Sequence, residues 1–300
     1  MICTHHRRLT LLTSFVLLAA LASVRAQGIV DGFMRGAGKT TVALSYSHES
    51  YTTYFVGNRP STNTAFGTIT TRSVNLFAAA GLTDYLDVVV ALPYVSATPS
   101  AGNLASQTGL QDVSLYFKLR PYRAEGKYGK LTTILAGGIS TPLSDYIADF
   151  PIAIGHQSTN LDGRALVQYM SNYGVFAMVQ GGYTRRSNVT LDRGFDVLVP
   201  NTADLVIKAG FAAKHFYADG WINRQVATQN GTDIGPGVSF PSNAISFTRV
   251  GYTLYAPVPK LPELGISFGM GFTLNGENVG KATRYSGGLV YNLPSWKKNG

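Results

Sequence analysis

Cysteine is all but absent, with Cys3 the only one in the chain. It stands ahead of an apolar run, Leu9 to Val24, which follows Arg7 and Arg8 and closes on Val24-Arg25-Ala26. That is the layout of a secretory leader over residues 1–26, cut before Gln27. Cleavage there removes the only thiol, which excludes a disulfide framework, a thiolate metal site and a cysteine nucleophile together. Charge is also scarce: Asp, Glu, Lys and Arg make up 14% of the chain, against about 25% in ordinary soluble domains. The leader carries Arg7, Arg8 and Arg25 and no acid, so its removal leaves 22 basic residues against 16 acidic ones, a formal charge of +6. The basic residues are scattered, with no run suited to nucleic acid or an anionic lipid surface. After residue 26 no segment supplies the roughly 18 apolar residues of a membrane-spanning helix. Low charge without helical spans is the composition of a transmembrane β-barrel, whose apolar residues are dispersed by alternation.

The alternation is present. Leu264, Ile266, Phe268, Met270, Phe272 and Leu274 interleave with Glu263, Gly265, Ser267, Gly269, Gly271 and Thr273, giving one apolar face and one small or polar face. Residues 110–121 place Val113, Leu115, Phe117 and Leu119 opposite Asp112, Ser114, Tyr116, Lys118 and Arg120. About twelve strands of about ten residues follow, the length that crosses a membrane when tilted. They are expected near 39–54, 67–81, 86–95, 109–121, 130–141, 162–170, 174–186, 204–214, 217–227, 244–256, 263–275 and 282–293. The two faces are poorly distinguished in 130–141, 174–186 and 217–227. Long and short connections alternate between these strands, as in an outer-membrane barrel with long extracellular loops and short periplasmic turns. In GLTDYLDVVVALPYV, residues 81–95, the turn at Leu82–Tyr85 is then periplasmic. Val88, Val90, Leu92 and Tyr94 face lipid, with Tyr94 in an aromatic girdle, and Val89 and Ala91 face inward.

The expected organisation is an all-β antiparallel barrel over 39–293, preceded by a periplasmic segment at 27–38 and followed by a tail at 294–300. The expected surroundings are outer-membrane lipid, reached through the barrel-assembly machinery of a Gram-negative bacterium. A soluble all-β secreted protein is the alternative fold.

Three stretches also resemble a known family: GLTDYLDVVVALPYV, GLQDVSLYFKLRP at 109–121 and LAGGISTPLSD at 135–145. They are similar to the outer-membrane proteins associated with the meta-cleavage pathway of phenol degradation, in which a Gly-Leu-Thr-Asp turn precedes a strand ending in Pro-Tyr. The resemblance implies an outer-membrane barrel that transports small, often aromatic or hydrophobic compounds; it carries no fixed binding residue onto this chain. The tail Pro294 to Gly300 departs from the terminal aromatic residue common in such barrels.

Candidate pore residues are those with inward parity: Asp112, Tyr116, Lys118, Arg120, Arg164, Gln168, Lys208, Lys214 and Arg284. As a group they suggest a basic constriction for anionic or aromatic solutes, since charged rings set pore selectivity and Arg stacks on rings. The competing reading is that they pair with Asp112, Asp162 and Asp204 and fill the barrel. The loop after residue 142 is too apolar to lie in water, and Tyr146, Ile147, Phe150, Ile152 and Ile154 are expected to fold into the mouth as a gate. The expected function is a channel for small solutes. The alternatives are a structural or adhesive barrel with a filled lumen and, less favoured, a barrel lipid hydrolase. Hydrolysis needs Ser, His and an orienting partner together, and His48, His156 and His215 fall in three different places on the strand map. Gly36-Ala37-Gly38-Lys39-Thr40 is a P-loop fragment without its earlier glycine, which would fall on Phe33. No catalytic residue, metal ligand or cofactor site is expected.

Overall fold

Each strand places apolar side chains on one face and small or polar ones on the other, and the chain satisfies both by closing into a ring. The computed structural model describes residues 29–62, 67–103, 105–148, 153–192, 194–232 and 242–297. Twelve antiparallel strands form the wall: β1 (Thr40–Tyr51), β2 (Ile69–Gly81), β3 (Leu86–Pro99), β4 in two pieces (Gln107–Leu110 and Asp112–Gly126), β5 (Gly129–Pro142), β6 (Asn160–Ser171), β7 (Val175–Arg186), β8 (Thr202–Ala213), β9 (Phe216–Ala227), β10 (Ser246–Val258), β11 (Leu261–Glu277) and β12 (Thr283–Leu293). Every strand pairs with its neighbours in sequence, and β1 pairs with β12 from Thr40↔Leu293 to Ser50↔Thr283. The ring therefore has no open edge, which the hydrocarbon layer demands because an unpaired backbone group there costs several kcal/mol.

The outer face is a belt of apolar side chains that a soluble protein would bury. Leu44, Leu76, Val90, Leu115, Phe117, Leu135, Val167, Ile207 and Leu289 are all exposed, and apolar surface of that extent marks contact with lipid. Tyr94 is 48% exposed on this face, while Val89 is fully buried inside. Short turns lie at one end, among them Lys127-Tyr128 and Lys214-His215, and the long connections lie at the other.

One irregularity keeps the wall in phase. In the first piece of β4 the buried inward residue is Gln107, whereas in the second piece the inward residues are Asp112, Ser114, Tyr116 and Lys118. The parity changes at Gln111, whose N–H still reaches the Pro93 carbonyl (2.9 Å). A bulge of one residue is what such a change of face requires. It frees the Gln111 side chain to donate to the Ile154 carbonyl of the long loop after β5.

The stretch before β1 departs from expectation. Its described part was expected in the periplasm, but residues 29–35 run inside the barrel. Gly36 (φ 84°) makes the turn at the rim, where a Cβ on the neighbouring Gly81 would stand 2.0 Å from the Gly36 carbonyl oxygen. The chain then reverses into β1.

Candidate functional site

The inward-running segment is seated by polar and apolar contacts. Val30 is buried with Ala79, Val89, Tyr116 and Ala136 of β2 to β5, and Met34 packs against Ile134, Leu166 and Met178 of β5 to β7. Phe33 meets Phe176 and Tyr217 edge-on, each at 5.9 Å between ring centroids. Lys118, which has no exposed surface, donates to Asp31 (2.7 Å) and to the Phe33 carbonyl (2.9 Å), and lies 3.7 Å from the equally buried Asp87. Arg35 returns the contact through its own ion pair with Asp31 (2.7 Å) and a backbone N–H to Asp87 (3.0 Å). Gln168 donates to the Gly32 carbonyl, and a Cβ on Gly32 would fall 2.0 Å from the Gln168 amide oxygen, so a larger residue there would have to displace that side chain. The segment occupies the β2-to-β9 side of the periplasmic half of the lumen.

Of the remaining inward cations, Arg164 and Lys208 are matched to acids, whereas Arg249 and Arg284 share Glu49. Arg164 grips Asp162 with two guanidinium nitrogens (2.6 and 2.8 Å) and Asp204 with a third (3.0 Å), a geometry that Lys could not supply. Lys208 stands 3.7 Å from Asp219. Arg284 donates to Ser47 (3.0 Å) and is in register with Glu49, which Arg249 approaches to 3.6 Å. Tyr116, Lys118, Arg164, Gln168, Lys208, Arg284 and Asp112 therefore lie inside as their parity indicates, but in pairs and not as a basic ring. Arg120 sits at the periplasmic rim, donating to the Asp84 carbonyl (2.7 Å). Lys214 is a correction: β8 ends at Ala213, and Lys214 is exposed in the turn. One residue of strand length separates the two outcomes.

At the outer end the loop after β5 folds inward. Tyr146 is buried with Val95, Ala97 and Ile154; its hydroxyl donates to Asp112 (2.8 Å) and accepts the Gln157 backbone N–H (3.0 Å). Ile147 remains 43% exposed, and Phe150 and Ile152 lie outside the described residues. A second inward loop went unforeseen. Val189, Leu191, Val197 and Val199, between β7 and β8, form a buried cluster against Ala148. The signal for it was their odd-numbered spacing within a stretch interrupted by Asp192, Gly194 and Asp196. The two loops, the outer ends of β1 and β2, the start of β10, Tyr54 and residues 278–280 line an open cavity of about 520 Å³. Its wall is largely apolar on the loop side, and it carries Glu49, Arg249 and Gln225 at the barrel side.

His156 lines the same cavity, and burial, reinforced by the Arg186 guanidinium, holds its pKa down to about 4 from the ordinary 6.5. Its neutral form is therefore favoured when the loop is packed, and the unpacked loop takes up a proton first. The contribution of His156 to packing of the loop is expected to be unaffected by pH above about 6.5, to weaken as pH falls from there towards about 4, and to change no further below. Protease protection of residues 143–159 measured against pH should show that window, and His156→Gln should flatten it. A wild-type profile that is level between these values would refute the link. His48 lies on β1 with the outward-facing residues and His215 in a turn, so the three histidines do not meet.

No family model and no curated protein matches the chain. Among solved structures, the COG4313 outer membrane channel from Pseudomonas putida F1 matches with a TM-score of 0.73 at 14% identity, over 89% of this chain and all of that one. The NanC porin follows at a TM-score of 0.48 and 7% identity, over 85% of this chain and all of that one. The translocator domain of the autotransporter NalP from Neisseria meningitidis gives 0.46 and 12%, over 96% of both chains. The first of these likenesses is one of fold: a closed barrel of the outer-membrane type.

Proposed function

We propose that this barrel is an outer-membrane channel for small solutes of apolar or aromatic character, entered from outside through the loop-walled cavity and closed on the periplasmic side by residues 29–35. The observation that carries the reading is a 520 Å³ cavity at the loop end of a lumen whose other end holds a segment that is part of no strand. A lumen meant only to be solid would be filled by wall side chains, which cannot leave; this one is filled in its lower half by a stretch of backbone that can. The apolar character of the solute rests on the wall of Ile154, Val189, Leu191, Val197 and Val199 above that segment. Such a wall excludes strongly hydrated sugars in favour of molecules whose own surface is worth removing from water. The leader at 1–26, export, and insertion by the barrel-assembly machinery complete the reading.

The test is block of ion current. In the barrel lacking residues 29–35, benzoate added on the loop side should interrupt the current in a concentration-dependent manner, while glucose at the same concentration should not. Equal indifference to both solutes would remove the apolar or aromatic specificity.

A further inference from the structure

The segment that fills the lower lumen touches only part of the wall. Its contacts run from β2 to β9: Ala79, Val89, Lys118, Ile134, Gln168 and Phe176 are among them. Facing β10, β11, β12 and β1 it is separated from the wall by a cavity of about 290 Å³. Asp31, Phe33 and Arg35 line that cavity on the segment side, and Thr41, Thr253, Tyr255, Ser267 and Asn292 line it on the wall side. The cause lies in side-chain size. The wall under the segment carries Val89, Tyr116, Ile134, Leu166 and Met178, whereas the inward positions above the cavity are Gly251, Gly269, Gly271, Ser45 and Ser286. Glycine at 251 and 271 also lets the Trp221 ring lie against the wall instead of across the lumen, since a Cβ at Gly251 would meet that ring at 2.4 Å.

The polar atoms on this side point to water. Trp221 Nε1, Asn223 Oδ1, Thr253 Oγ1, Ser267 Oγ and Arg284 Nε are buried and, among the described residues, have no protein partner. Buried polar atoms in a native fold are nearly always satisfied, and where protein does not satisfy them water does. All five belong to β9 through β12, as does Asp219 Oδ1; Arg35 Nε of the segment and Asp87 Oδ1 of β3 are the other such atoms among the described residues. Above them Arg249 and Arg284 face the single carboxylate of Glu49, an excess of one positive charge.

We propose that the barrel contains a second, narrower passage along the β10–β11–β12–β1 wall, which carries water and small inorganic anions while residues 29–35 remain seated. It rests on the reading of those residues as the periplasmic closure, and it gives that closure a size limit: the segment stops organic solutes and leaves chloride a way around. Arg284 and Arg249 set the sign of the ion.

The chain from Gln27 has no cysteine, so single thiols can be placed cleanly. The full barrel, refolded from Gln27 and set in a planar bilayer with a KCl gradient, should conduct in small steps with a reversal potential on the chloride side. In Ser267→Cys, a small anionic methanethiosulfonate added on the periplasmic side, where the cavity is wide enough to admit it, should react and lower that conductance by half or more, and Asn292→Cys, nearer the periplasmic rim, should behave alike. Val89→Cys, on the wall covered by the segment, should not react. A silent full-length barrel beside a conducting barrel without residues 29–35 overturns the side passage and leaves the closure standing. Silence in both removes the channel reading itself. Reaction at Ser267→Cys with unchanged conductance, or a cation-selective current, also overturns the side passage.

Discussion

Deletion of residues 29–35 is expected to raise the single-channel conductance several-fold while leaving the barrel folded. The segment contributes no strand pairing: the ladder between β1 and β12 begins at Thr40, and that between β1 and β2 pairs Thr40 with Ala80. What it contributes is occupancy. Val30, Phe33 and Met34 fill the space between β2 and β9, and the lumen they vacate is lined by Lys118, Asp87, Gln168 and Lys208, which water can solvate at once. Pore conductance follows the open cross-section and the polarity of its lining, and the deletion enlarges the first and exposes the second. Heat-modifiable migration in gels reports the intact barrel, and planar-bilayer recording reports the current. Unchanged conductance in a barrel that still shows heat modifiability would mean that the constriction lies elsewhere, with the inward loops around Tyr146 and Val197 as the next place to look.

Lys118→Met should produce much of the same opening without removing an atom of the segment. In the closed arrangement Lys118 and Asp87 have no exposed surface and Asp31 is 13% exposed. Removing this buried cation leaves Asp87, among the described residues, with the Arg35 backbone N–H as its only hydrogen bond. Breaking a buried pair in this way costs about 3–5 kcal/mol. The barrel can escape most of that cost by letting the segment leave, because both carboxylates are then hydrated. The closed state should lose on the order of a hundredfold or more in population relative to the open one. Open-channel probability in bilayer recordings measures that ratio directly. Adding Asp87→Asn to Lys118→Met removes the stranded charge and should restore closure in part. If Lys118→Met gates like the parent, the ion pairs hold position without holding the segment shut.

The barrel was legible in the sequence because lipid on one side and water on the other impose a period of two on every strand. Residues 264–274 and 113–119 show that period without interruption, and β11 and β4 contain them. Even the three stretches with blurred faces became strands at nearly the expected limits, β5, β7 and β9, since their flanking turns mark the ends when their faces do not. The interior was legible only as far as parity goes. Asp112, Lys118 and Arg164 could be placed inside by counting, and Asp162 and Asp204 were among the acids expected to pair, as they do with Arg164; the partners Tyr146 and Asp31 come from distant parts of the chain and follow no spacing. Residues 29–35 gave no signal at all. Val-Asp-Gly-Phe-Met-Arg has neither period, and its place depends on a cradle built from β3, β4 and β6, each later in the chain.

The seam between β1 and β12 has a consequence for the order of assembly. Every other neighbour pair in the ring forms as a hairpin between adjacent stretches, whereas this one joins the first strand made to the last. The entropy of closing so long a loop rises only logarithmically with length, but contacts between remote parts of a chain form slowly. Until β12 arrives, β1 and whichever strand was last added both present unpaired edges to any neighbour, the configuration from which intermolecular sheets grow. Residues 29–35 are joined directly to β1, so the closing seam and the filling of the lumen share one end of the chain. A chain that is delayed at this step is therefore at once an open sheet and an empty one, and its lifetime in that state is set by how quickly Thr283 to Leu293 find Thr40 to Ser50.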